Sequence, residues 1–291
     1  MTGINDPPRP VLIVGLLCIL LIGFPSAGFA RDAEAWKSLI AQADALGLPT
    51  RFLKVIPSDF VALEFEDLHT FAAEYHPEEH RMLLNLSLSF NRAGGALRPL
   101  AQLPHSELGT LYHELFHAYM DYLGSRTDAA DPIDARLLRF ARDRQHCQYE
   151  IVSITPVVQK KTVTEPRFLN EGESWEALNE TWGVFVGWTV WTKLELARGS
   201  KPATAKRAAW LTRLRKADRD SDLRGYYEPQ DPAERTIARK RYLASASRLT
   251  PPEAAILLEV VLGESREDAA KSAAVMEQSR RPVKDSPPCP G

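Results

Sequence analysis

Apolar positions recur at helical spacing along much of the chain. Trp36, Leu39, Ile40 and Ala43 predict an amphipathic helix over residues 31–46, closed by Gly47 and Pro49. Arg51–Val55 and Phe60–Phe65 are short strand candidates separated by Pro57-Ser58-Asp59. A clearer alternation follows: Leu84, Leu86, Leu88 and Phe90 are interleaved with Asn85, Ser87 and Ser89. This predicts a half-buried strand over Leu83–Phe90, with a turn over Asn91–Ala96 at Gly94-Gly95.

The pattern then becomes helical. A helix is expected over residues 104–123, ended by Gly124-Ser125. Asp131-Pro132 opens another that runs to about Tyr149, and Ile151–Thr164 reads as irregular or strand-like. From about Glu173 through Trp191 the chain is helical and, in its later half, apolar nearly all round, the signature of a buried helix. Further helices are expected over Ala203–Lys216, Asp231–Ala246, Pro251–Leu262 with Thr250 as cap, and Arg266–Gln278. Asp218–Pro232 reads as a polar connection and residues 279–291 as a disordered tail. The fold class implied is α+β and predominantly helical, with a core over residues 31–200 and a helical C-terminal part over 201–278.

Two His–Glu patterns carry candidate chemistry. In His113-Glu114-Leu115-Phe116-His117 the histidines are four apart, so a helix aims both imidazoles at one point. Glu114 lies about 100° further round. Zinc accepts imidazole nitrogens and carboxylate oxygens and in catalytic sites keeps a position for water, whose pKa falls toward about 7. Glu114 is then the expected general base. His76-Pro77-Glu78-Glu79-His80 has the inverted order. Pro77 fits only the first turn of a helix and a strand follows, so a solvated turn is expected there.

The stretch His113–Tyr122, with Ala118 after the second histidine and the pair Asp121-Tyr122, resembles the active-site helix of the thermolysin-like, or gluzincin, zinc metallopeptidases. The resemblance covers this helix and one later helix. It implies a zincin-like core, zinc as cofactor, a peptide or protein substrate, and a third ligand from a Glu on the downstream helix. Leu178-Asn179-Glu180-Thr181-Trp182-Gly183 resembles that second motif and makes Glu180 the expected ligand. Glu171, within Phe168-Leu169-Asn170-Glu171-Gly172, and then Glu176 are the alternatives, with Glu173 behind them. Gly183 and Gly187, on the same side as Glu180, would let the metal helix approach closely. Val184 stands where the family often carries an Asp that supports the first histidine.

The resemblance also implies a substrate-binding strand ahead of the metal helix, a role for which Arg81–Phe90 is a candidate alongside that of an ordinary sheet strand. An oxyanion donor is needed too. Tyr119, His146, Tyr226 and Tyr227 are candidates that spacing does not separate. Asp121 is expected to be structural.

The chain has 291 residues, 44% of them hydrophobic, and a net charge of −2. That leaves room for one sizeable core with an appended subdomain and gives no footprint for nucleic acid. The basic run from Lys206 to Lys216 reads as the solvated face of a helix. Residues 1–30 read as a secretory signal: Arg9, the apolar run Val11–Phe24, then small residues suited to cleavage after Ala30. The run is shorter than the about 20 residues of a membrane span, so contact with a membrane is expected only if the segment stays uncleaved. A secreted or periplasmic location follows. Cys18 would leave with the signal, and Cys147 and Cys289 could pair in an oxidising compartment. The function expected is zinc-dependent peptide hydrolysis outside the cytoplasm. The alternatives are a zinc-binding protein without turnover and a helical binding or scaffold protein.

Overall fold

The architecture is organised by two long helices, α3 (His105–Ser125) and α5 (Glu171–Ala197), which cross in close contact. The structure is a computed structural model that describes residues 27–69, 72–90, 95–126, 131–155, 163–200 and 202–280. The apolar run of the expected signal, Gly94 of the expected turn and the tail from 281 onward lie outside these residues.

Helix α1 (Ala27–Ala45) buries Trp36, Leu39 and Ala43, and Gly47 at φ 66° closes it in the left-handed region. The segment expected as a first strand is instead a short helix, α2 (Arg51–Val55). Phe52 and Leu53, adjacent in sequence, are both fully buried, which a half-buried strand would not allow. Phe52 packs edge-on against Tyr112 and Tyr119 of α3, so tertiary contact overrides the local pattern.

Strands β1 (Ala62–Glu66), β2 (Ala73–His76) and β3 (Arg81–Asn85) form a sheet of order β1-β3-β2. β1 runs parallel to β3, and β2 runs antiparallel to it. The expected long strand over Leu83–Phe90 stops at Asn85, and its alternation does not survive. Met82, Leu83, Leu84 and Asn85 are all buried, because β3 is the central strand. The Asn85 carboxamide accepts the Ser87 N–H and turns the chain into a single 3₁₀ turn over Leu86–Leu88. Phe90, expected on the buried face, is exposed.

Asp131 caps α4 (Pro132–Arg144), which continues as a π turn over Gln145–Tyr149. β4 (Ile151–Ile154) and β5 (Glu165–Phe168) pair antiparallel. Asn170 and Glu173 then form a reciprocal capping box at the start of α5. Cys147 is disulfide-bonded.

After α6 (Ala203–Asp220) the chain adds a small hairpin-like pair, β6 (Tyr226–Tyr227) with β7 (Arg241–Tyr242), around the short helix α7 (Pro232–Ile237). The continuous helix expected over Asp231–Ala246 is therefore broken. Tyr242 accepts the Thr155 N–H, and Leu243 donates to Gly225 and bridges to Ile154, so this segment is drawn into strand contacts that a helix could not make. α8 (Pro251–Ile256) starts with Thr250 and Glu253 in a capping box and passes into a π turn over Leu257–Val261; α9 (Arg266–Ser279) follows.

Glu253 is fully buried. Its Oε1 accepts from the Tyr149 hydroxyl at 2.8 Å and the Trp182 indole at 2.8 Å, which ties α8 to α5 and the π turn after α4. One apolar cluster runs from Trp36 to Met276. Residues 279 and 280, expected in the disordered tail, are held by the buried Asp218: the Ser279 hydroxyl donates at 2.6 Å and the Arg280 guanidinium at 2.9 Å. Among the described residues no helix is long and apolar enough to cross a membrane.

Candidate metal centre

One side of α3 is apolar: Leu111, Tyr112, Leu115, Phe116 and Tyr119 are buried in the core. His113 and His117 project toward α5. Gly109 lies against Gly187, and both histidines lie against Gly183, so the two helices run antiparallel across the crossing. A Cβ at Gly187 would sit 2.5 Å from the Gly109 carbonyl oxygen, and one at Gly183 would sit 3.2 Å from atoms of both imidazoles. The absent side chains are what let Glu180 reach the histidine pair.

The two Nε2 atoms are 2.9 Å apart. Glu180 Oε2 is 3.2 Å from Nε2 of His113, and Oε1 is 3.3 Å from Nε2 of His117. His113, His117 and Glu180 are the group among the described residues whose ligand atoms converge in this way. Glu180 Oε2 is buried and makes no well-oriented hydrogen bond despite its proximity to His113. A buried carboxylate oxygen without a hydrogen-bond partner thus lies beside two ring nitrogens that face each other, an arrangement that a shared cation would satisfy. Tetrahedral zinc with ligands at about 2.0–2.2 Å holds its donor atoms roughly 3.3 Å apart, so the donor set and its spacing fit this ion. Burial alone would raise the Glu180 carboxyl, but the two imidazoles hold it well below the usual carboxylate range.

Glu114 stands beside the group, its Oε1 3.9 Å from His113 Nε2. Its Oε2 accepts the backbone N–H of Tyr75 in β2 at 3.0 Å. Burial pushes its carboxyl up to about 7, with the nearby Glu180 charge adding to the effect and His113 and the Tyr75 amide opposing it. A carboxyl tuned near neutrality is suited to moving a proton at ordinary pH.

The other candidates fall elsewhere. Glu171 is exposed at the first turn of α5, and Glu173 closes the capping box. Glu176 is half-buried, with its Oε1 accepting the Glu228 N–H at 2.9 Å. Asp121 receives the Tyr75 hydroxyl at 2.5 Å and contacts His80 Nδ1 at 2.7 Å, so it fastens β2 and its following turn to α3. His76–His80 is a 3₁₀ turn, as expected, with His80 in the left-handed region.

The four proposed oxyanion donors separate cleanly. Tyr119 is buried and donates to Asp134 at 2.7 Å; His146 is exposed and lies 2.9 Å from Glu150; Tyr227 is buried near Arg167 and Arg241. Tyr226 alone of these stands near the centre, close enough for the Glu180 and Glu114 carboxylates to act on its hydroxyl. Burial, reinforced by the Glu180 and Glu114 charges, holds that phenol protonated far above its ordinary range. Lys240 donates to the same hydroxyl at 2.9 Å. Gly225 makes the approach possible, since a Cβ there would overlap Thr181 of α5.

Of the two roles open to Arg81–Phe90, β3 takes that of an ordinary sheet strand. β3 has a neighbour on each edge, so no peptide can add to it. β2 holds the open edge nearest α3. Asn85 donates to Ala72, so the alternate residues Ala73 and Tyr75 turn their peptide groups away from β3. Tyr75, Gly225 and Lys240 carry no local sequence signal; only register and packing bring them to the site.

Comparison with known proteins adds no relative to this picture: no protein-family model, no curated protein and no solved structure matches the chain.

Proposed function

We infer that this protein is a zinc-dependent peptide hydrolase of gluzincin type. The observation that carries the reading is the convergence of His113, His117 and Glu180, with ligand atoms 2.9–3.3 Å apart, beside the buried carboxyl of Glu114. These three residues would hold the ion. Zinc bound there would supply a Lewis acid that polarises the scissile carbonyl and acidifies water.

The chain's own groups do the remaining work. Glu114, fixed by the Tyr75 amide, takes the proton of the attacking water and returns it to the leaving amine. Tyr226, kept protonated, donates to the oxygen that gains charge. The outward peptide groups of β2, Ala73 and the Tyr75 carbonyl among them, would bind an extended substrate by strand addition. An exported location agrees with the apolar segment and small residues ahead of Arg31 and with Cys147 in a disulfide, a bond that persists in oxidising compartments.

The test is metal analysis of the purified protein together with cleavage of a quenched peptide library, with and without a chelator. Near one equivalent of zinc and chelator-sensitive cleavage are expected. Zinc without cleavage would leave a metal-binding protein, and no zinc would leave a helical scaffold.

A further inference from the structure

Away from the metal centre, the ends of α5, α6 and α9 enclose an open cavity of about 410 Å³. Leu196, Trp210, Leu211 and Leu258 make its walls apolar. The volume lies near the lower end of small-molecule sites, roughly 300–1,000 Å³, which suits one alkyl chain and not a two-tailed lipid.

The charges around it are unbalanced. Lys193, Lys206, Arg207 and Lys271 line the cavity against Glu264 and Asp268. Most of these cations are neutralised in place. Lys193 pairs with Glu264, Arg207 with Asp268, and Lys271 with Glu267. Lys206 differs: among the described residues its ammonium meets no carboxylate and donates only to the Ala197 carbonyl, at 3.4 Å. The first turn of α6, which contributes Ala203 and Thr204 to the wall, has no acidic residue. An anionic head would find a cation without a carboxylate partner here, and an apolar tail would find Trp210 and the leucines.

We propose that this cavity binds a single-chain alkyl carboxylate of about ten carbons, its head on Lys206 and its chain against Trp210 and Leu211. The site is independent of the peptidase reading, because neither zinc nor Glu114 takes part.

Calorimetric titration of the full chain with decanoate, decan-1-ol and decylamine tests it. Decanoate is expected to saturate with a Kd below about 1 mM, with decanol at least about tenfold weaker and decylamine without binding. Lys206→Glu should weaken decanoate about tenfold or more while leaving decanol within about twofold and the melting temperature unchanged. Lys206→Gln should fall between the two. Leu211→Glu, on the partly exposed wall, should remove decanoate binding. Failure of decanoate to saturate, equal binding of the alcohol or amine, or indifference to both Lys206 variants would overturn the proposal. None of these outcomes depends on whether the protein cleaves peptides.

Discussion

The backbone N–H of Tyr75 donates to Glu114 Oε2 at 3.0 Å, and the hydroxyl of the same Tyr75 donates to Asp121 two turns further along α3. One residue of an edge strand thereby fixes both the position of that strand on the helix and the carboxylate that the proposed chemistry uses. Only proline would remove that main-chain donor, and it would disturb β2 as well, so the partner is the cleaner target. Glu114→Gln keeps an oxygen for the Tyr75 amide and cannot take a proton. It should lower kcat by about 10²–10⁴-fold with zinc content unchanged. Retained turnover would sink the assignment of Glu114 as base.

The three-residue metal group makes a prediction that discriminates among carboxylates. Glu180→Ala and His117→Ala should each lose most bound zinc in equilibrium dialysis. Glu171→Ala and Glu176→Ala should keep it, because neither carboxylate faces both imidazoles. Zinc loss in Glu171→Ala with retention in Glu180→Ala would reverse the ligand choice.

Tyr226 is tested by Tyr226→Phe. The ring and its contact with Tyr242 remain while the hydroxyl is lost. The expected result is a drop in kcat of about 10²–10³-fold, with zinc bound and the melting temperature near that of the parent. A change confined to KM would argue against transition-state donation.

The helix crossing predicts a stability effect separable from chemistry. Gly187→Ala drives a methyl against the Gly109 carbonyl at a distance no real Cβ tolerates, so α3 and α5 must part. Overpacking of this kind costs about 1–3 kcal/mol, visible as a lowered midpoint in urea unfolding. Unaltered stability would mean that the helices are not held so close.

Glu176 predicts a pH dependence of stability. Burial raises its carboxyl from 4.5 to about 7, with Glu180, Glu228 and Glu173 adding repulsion and the Glu228 amide opposing. The folded chain thus keeps a proton that the unfolded chain releases. The associated stability is present below pH about 4.5 and is lost as pH rises through about 7. In chelator-treated protein, Glu176→Gln should remove this loss, gaining on the order of 1–3 kcal/mol at pH 8 relative to the parent and nothing at pH 4. Equal gains at both pH values would exclude a protonation origin.

The sequence by itself determined a good deal. Four-residue spacing fixed that His113 and His117 share a helix face, because helical geometry depends only on local backbone dihedrals. Thr250 announced a helix cap, since caps are local too, and the glycines at 183 and 187 announced a close crossing on the face of Glu180. What sequence could not decide were choices between distant partners. Arg51–Val55 became a helix because Phe52 found two tyrosines on α3. The Leu83–Phe90 pattern broke at Asn85 because β3 acquired a strand on each side. Asp231–Ala246 opened because Leu243 was claimed by Gly225 and Ile154. The proposals of Glu180 over Glu171 and Glu176 as ligand, of Tyr226 over three other donors, and of β2 over β3 as substrate strand all rest on long-range packing. Periodicity reports which face a side chain takes on its own element; only the assembled core says what stands opposite.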